Sequence, residues 1–105
     1  MTENIFKNDY FEFRKLTRDD DSVINEKASY WVNTLDKADN AMNILCHAYI
    51  NNNGKKCLEN LMLDVNPLVT SNVEKVNKYI EVLQSSVEFY NKLQDYFDRE
   101  GFERI

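Results

Sequence analysis

Two glycines and one proline in 105 residues leave this chain little with which to turn sharply. Glycine supplies positive φ and proline pre-sets the corner of a turn, so sheets built from tight turns draw on both. Scarcity of both favours long helices. The breaks that exist divide the chain. Asn51-Asn52-Asn53-Gly54 reads as a helix stop, with Gly54 in the left-handed position after the last turn. Asn66-Pro67 is a second break, because proline disfavours helix at the residue before it. Gly101 is a third.

Between the breaks, apolar residues recur at helical spacing. Ile24, Ala28, Trp31, Leu35, Ala38, Met42, Leu45 and Tyr49 step by fours and threes, an unbroken heptad seam. The spacing predicts a helix over about 22–53, capped by Asp21 or Ser22, with Asp19-Asp20-Asp21 complementing the positive end of its dipole. Farther on, Ser71-Asn72-Val73-Glu74 has the form of a capping box. It leads into a second seam at Val73, Val76, Ile80, Leu83, Val87, Tyr90, Gln94 and Phe97, predicting a helix over about 72–100. Glu74–Lys78, Glu88–Lys92 and Asp95–Arg99 add acid-to-base pairs four apart on it. Residues 55–65 place Cys57, Leu58, Leu61, Met62 and Val65 at helical spacing and read as a short helix. In the N-terminal arm, Phe6, Tyr10 and Phe13 share a helical face, although Phe11 and Phe13 also alternate with Glu12 and Arg14 as in a strand. With no second strand evident nearby, the arm reads as helix. The expected fold is all-α: one domain over 1–105, an antiparallel helical hairpin of 22–53 and 72–100, with a short middle helix and an aromatic arm over 1–21.

Composition narrows the function. A chain this short needs most of its 43% apolar residues for its own core. A net charge of −5 with scattered Lys and Arg argues against a nucleic-acid partner. Two cysteines, Cys46 and Cys57, make no disulfide framework and read as reduced, buried thiols. The N-terminal MTENIFKNDYFEF lacks the pattern of a secretory leader, and no apolar run approaches the ~20 residues of a membrane span. A cytoplasmic protein is expected. Fourteen asparagines against four arginines fit an AT-rich genome, such as that of many phages.

Chemistry is sparse. His47, the single histidine, falls opposite the first seam with Asn43 and Asn51 as its helical neighbours, which form no catalytic relay. Cys46, His47 and Cys57 lack paired zinc-ligand spacing, and two isolated glycines build no phosphate loop. No catalytic residue, metal, cofactor or small-molecule substrate is expected. Trp31, on the seam, reads as a core anchor. The informative feature is the breadth of the 72–100 helix: Tyr79, Val82, Phe89, Leu93 and Tyr96 flank its seam and widen the apolar face beyond what one partner helix covers. Part of that stripe is expected either to meet the middle helix or arm, or to bind another protein.

The length and the expected hairpin resemble the WXG100 family of small secreted bacterial proteins. Tyr96-Phe97-Asp98-Arg99-Glu100 fits that family's Tyr-x-x-x-Asp/Glu export signal, whereas its Trp-x-Gly turn has no counterpart, since the 51–54 break carries no tryptophan. The resemblance implies a secretion substrate, chaperone or assembly subunit. The reading from the residues themselves is a non-enzymatic protein that binds a larger machine stoichiometrically as inhibitor or regulator, phage- or mobile-element-encoded, and self-associates at least weakly through its second helix.

Overall fold

The computed structural model describes residues 1–18, 26–39 and 41–105. Asp19–Asp21, Ser22 and Ile24, which carry the expected N-terminal cap and the start of the first seam, lie outside them. Among the described residues the chain forms one six-stranded sheet and one α-helix: β1 (Thr2–Lys7), β2 (Phe11–Thr17), β3 (Glu26–Thr34), β4 (Met42–Asn51), β5 (Lys56–Val65), α1 (Val73–Arg99) and β6 (Glu103–Arg104). The strands run in sequence order across the sheet. The first five make an antiparallel meander, and β6 pairs parallel with β5.

The all-α hairpin is therefore corrected. Of the expected helices, only the last forms. Residues 26–34, 42–51 and 56–65 are strands, and so is the aromatic arm, whose missing partners are β1 itself and β3. The governing period is two. Ala28, Tyr30 and Val32 face the core from β3, as Ile44, Cys46, Ala48 and Ile50 do from β4. In β2, Phe11 and Phe13 are fully buried while Glu12 and Arg14, which alternate with them, are not.

Asparagine and aspartate make the turns that glycine and proline are too few to make. Asn8 Oδ1 accepts from the N–H groups of Tyr10 and Phe11, both at 2.8 Å, and closes the β1–β2 turn. Asp39 adopts positive φ after the short 3₁₀ turn that follows β3. Asn51 Oδ1 accepts from Asn53 and Lys55, both at 2.9 Å, with Gly54 at φ +82. Gly54 thus takes the left-handed conformation expected of it, but in a strand-to-strand turn.

The helix begins at a cap one residue later than the capping box implies. Asn72 accepts from Glu74 N–H at 2.9 Å, and Thr70 Oγ1 accepts from Asn72 N–H. It ends in a Schellman motif: Gly101 N–H donates to Asp98 and Phe102 N–H to Phe97, with the two phenyl rings 4.9 Å apart. That motif delivers Phe102 to the core and turns the chain back along β5.

One helix covers one side of the sheet. Val82, Ser86, Phe89, Leu93 and Phe97 form its buried face. Phe89 packs on Phe6 and Phe11, and Phe97 on Phe13 and Tyr30. Each fully buried phenylalanine or leucine stabilises by about 1.5–3 kcal/mol relative to exposure. Ser86, the polar member, donates to Val82 O at 2.6 Å. Two tyrosines fasten the helix to the end of the meander: Tyr90 donates to Leu61 O at 3.0 Å and Tyr79 to Asn66 O at 2.6 Å. The expected seam divides: Val73, Val76, Ile80 and Val87 are exposed, whereas Tyr90 and Phe97 meet the sheet.

Candidate functional site

With α1 on one side of the sheet, the register fixes what the opposite side displays. Arg14 stands across from Trp31, Leu16 from Ser29, Ser29 from Tyr49, and Leu45 from Met62. None of these side chains belongs to the core beneath the helix. Leu45 is 43% exposed and Met62 57%, a cross-strand apolar pair open to solvent. Trp31 is half-buried and donates its indole N–H to Asn33 Oδ1 at 3.1 Å. The tryptophan expected as a core anchor therefore lies on the bare face.

Beside this apolar floor runs a polar network centred on His47, and two β-bulges build it. In the β3–β4 ladder, Glu26 pairs with Asn51 and Ala28 with Ile50, leaving Lys27 as the extra residue. In the β4–β5 ladder, Asn60 pairs with His47 and Leu58 with Ala48, leaving Glu59 extra. A bulge re-aims the side chains around it. Here both bulges bring a carboxylate to the same imidazole: Glu59 Oε2 lies 2.8 Å from His47 Nδ1, and Glu26 Oε1 4.0 Å from Nε2. Tyr49 donates to Glu59 Oε1 at 3.2 Å, with its ring 5.5 Å from the imidazole. Burial first, and then the Glu59 carboxylate, push the Tyr49 hydroxyl up to about 12. On the far side, Ser29 donates to Glu26 Oε2 at 2.7 Å and accepts from Arg18 at 2.7 Å, with Arg18 3.7 Å from the same carboxylate.

These contacts tie β3, β4 and β5 together on the bare face. The Ser29 proton is committed to a carboxylate, not directed toward His47, so the network lacks the serine-to-base hydrogen bond of an activated nucleophile. The two carboxylates approach different ring nitrogens, an arrangement unlike one metal centre, and no group of His, Cys, Asp and Glu among the described residues meets metal-site geometry. Cys46 faces the core, where burial raises its thiol to about 12.

The residues expected to bind a partner lie elsewhere. Val82, Phe89 and Leu93 are buried against the sheet, and Tyr79 and Tyr96 are half-buried at its margins, Tyr96 packing edge-on against Phe13. The second neighbour that the broad helix requires is the chain's own sheet. The hairpin underlying the WXG100 resemblance is not formed, and Tyr96 of the export-like segment packs inward. His47 is exposed, and its partners come from neighbouring strands and not from four residues away. Leu45, Met62 and the two bulge-delivered glutamates escape a helical reading; the alternation of Asn43, Leu45, His47 and Tyr49 with Ile44, Cys46 and Ala48 is the signal that points to them.

No family model, curated protein or solved structure matches this chain. Among the described residues, no helix is long and apolar enough to cross a membrane.

Proposed function

We propose that this chain is a non-enzymatic protein-binding protein that docks stoichiometrically through the bare face of its sheet, occupying a surface on a larger assembly. The observation that carries the reading is the exposed Leu45–Met62 pair, midway along the β4–β5 ladder, on the side of the sheet that α1 does not cover. An apolar pair open to water on a bare sheet gains by being covered. The same side of the sheet carries residue types that interface centres favour: Met62 itself, with Trp31, Tyr49 and Arg14. The network from Arg18 through Ser29, Glu26, His47 and Glu59 to Tyr49 supplies a fixed polar rim, which gives such a surface selectivity. The mode of action in this reading is steric: the chain blocks or holds a surface without turning over a substrate.

Affinity isolation from a bacterial lysate tests it, comparing the wild-type chain with the Leu45→Glu, Met62→Glu double variant. A protein recovered in near-equal amount with wild type and lost with the variant, while the variant keeps its circular dichroism, supports the reading. Equal recovery with both contradicts it.

A further inference from the structure

The second uncovered surface is on the helix. Val73, Val76, Ile80, Leu83 and Val87 step by three, four, three and four along α1, and they lie away from the face formed by Val82, Ser86, Phe89, Leu93 and Phe97. Val73 is 70% exposed, Ile80 45% and Val87 47%. Val73, Val76, Ile80 and Val87 are exposed and contribute nothing to the core, while Leu83 between them is half-buried; polar residues at the four exposed positions would leave the core unchanged. Heptad spacing of this kind is what a second helix with the same spacing fills, its side chains seated between those of the first.

We propose that the strip is the docking surface for a second copy of this chain, the two α1 helices packing antiparallel. Charge chooses the occupant. On the solvent flank of the strip the neighbouring positions are Asn77, Gln84 and Asn91, all uncharged amides, whereas Glu74, Glu81 and Glu88 lie on another face of the helix. An antiparallel register that sets Ile80 against Leu83 of the other copy also sets Val76 against Val87, and brings Asn77 opposite Gln84. A chain of net charge −5 thereby meets itself without opposing carboxylates. A basic or acidic partner finds no charge along this strip to pair with, while a second copy matches it in spacing and neutrality. Antiparallel helices also set opposite ends of their dipoles together. The strip spans 15 residues, about 21 Å of helix at ~1.5 Å per residue, so the contact is smaller than a standard interface and the dimer is a weak one. This surface is separate from the bare sheet face, and the two proposals fail independently.

Sedimentation equilibrium of the purified chain reads the association directly. The expected apparent mass rises with concentration from 12.5 kDa toward twice that value. Ile80→Glu, at an exposed position, abolishes the rise, and the Leu45→Glu, Met62→Glu variant keeps it. A cysteine experiment reads the orientation: under mild oxidation, an equimolar mixture of the Asn77→Cys and Gln84→Cys variants forms the mixed disulfide dimer in at least severalfold excess over either homodimer. A strict monomer to millimolar concentration overturns the proposal. So does a dimer that survives Ile80→Glu, or a cross-linked population dominated by the Asn77→Cys or Gln84→Cys homodimers.

Discussion

Glu59 meets His47 at 2.8 Å because Glu59 is the residue that the β4–β5 bulge leaves without a partner. The same carboxylate accepts from Tyr49, so one local irregularity of the backbone aligns an acid, an imidazole and a phenol on the bare face.

Removing that charge is expected to show at Tyr49. Glu59→Gln keeps the shape and deletes the carboxylate that helps hold the phenol protonated, so Tyr49 titrates closer to its ordinary value of 10.0. It remains above that value, because burial is the larger cause. Ultraviolet difference titration against a Tyr49→Phe control measures the shift. An unchanged Tyr49 titration would show that the carboxylate does not act on it.

The two sides of the sheet are expected to respond oppositely to truncation. Leu93→Ala removes a fully buried side chain beneath the sheet and costs about 2–5 kcal/mol in denaturant unfolding. Leu45→Ala, on the bare side, changes stability by roughly 0.5 kcal/mol or less. Equal losses at the two positions would mean that Leu45 is covered within the chain.

The β4–β5 turn rests on two residues. Asn51→Ala releases the N–H groups of Asn53 and Lys55 and is expected to cost about 1 kcal/mol. Gly54→Ala meets no steric obstacle but keeps φ at +82, at a cost of roughly 1–2 kcal/mol. Urea denaturation of each variant checks the values.

Base is expected to weaken the fold. Burial raises Tyr30 and Tyr96 above 10.0, a hydrogen bond to Glu81 raises Tyr10, and Cys46 rises from 9.0 to about 12. In each case the folded chain keeps a proton that the unfolded chain releases first. These groups therefore add no pH dependence below about pH 8, and stability falls as pH climbs through 9 and 10 toward the folded-state values. Melting temperatures measured from pH 8 to 11 check the slope; a flat profile contradicts it.

The helix was readable because cap and period agree: a capping residue precedes, and an acid sits in the first turn of, a stretch whose apolar residues keep helical spacing from Val73 to Phe97. Its orientation was not, since both the 73–87 strip and the 82–97 face carry that period, and only the sheet decides which is covered. The strands were masked by coincidence. Ala28, Trp31, Met42, Leu45 and Tyr49 step like a heptad while belonging to both faces of a sheet, and apolar residues off that seam, Tyr30, Val32, Ile44, Cys46 and Ile50, line the core together with Ala28. In β5 the bulge at Glu59 inserts a three-residue step from Leu58 to Leu61 that imitates a helical turn. Scarce glycine and proline misled for a physical reason as well: the side chains of Asn8 and Asn51 make the turn hydrogen bonds themselves, and Asp39 accepts positive φ. His47 was visible as the single histidine, but the carboxylates beside it come from strands whose pairing a single sequence does not display.

Photo-crosslinking addresses the bare face most directly. A photoreactive phenylalanine analogue is placed at Leu45 or Met62, with a control at Glu88 on the charged side of the helix, and each protein is irradiated in a bacterial lysate. The expected result is a single discrete adduct with a foreign protein from positions 45 and 62 and none from 88. Adducts of the same kind and yield from all three positions, or none from 45 and 62, would contradict docking through the sheet.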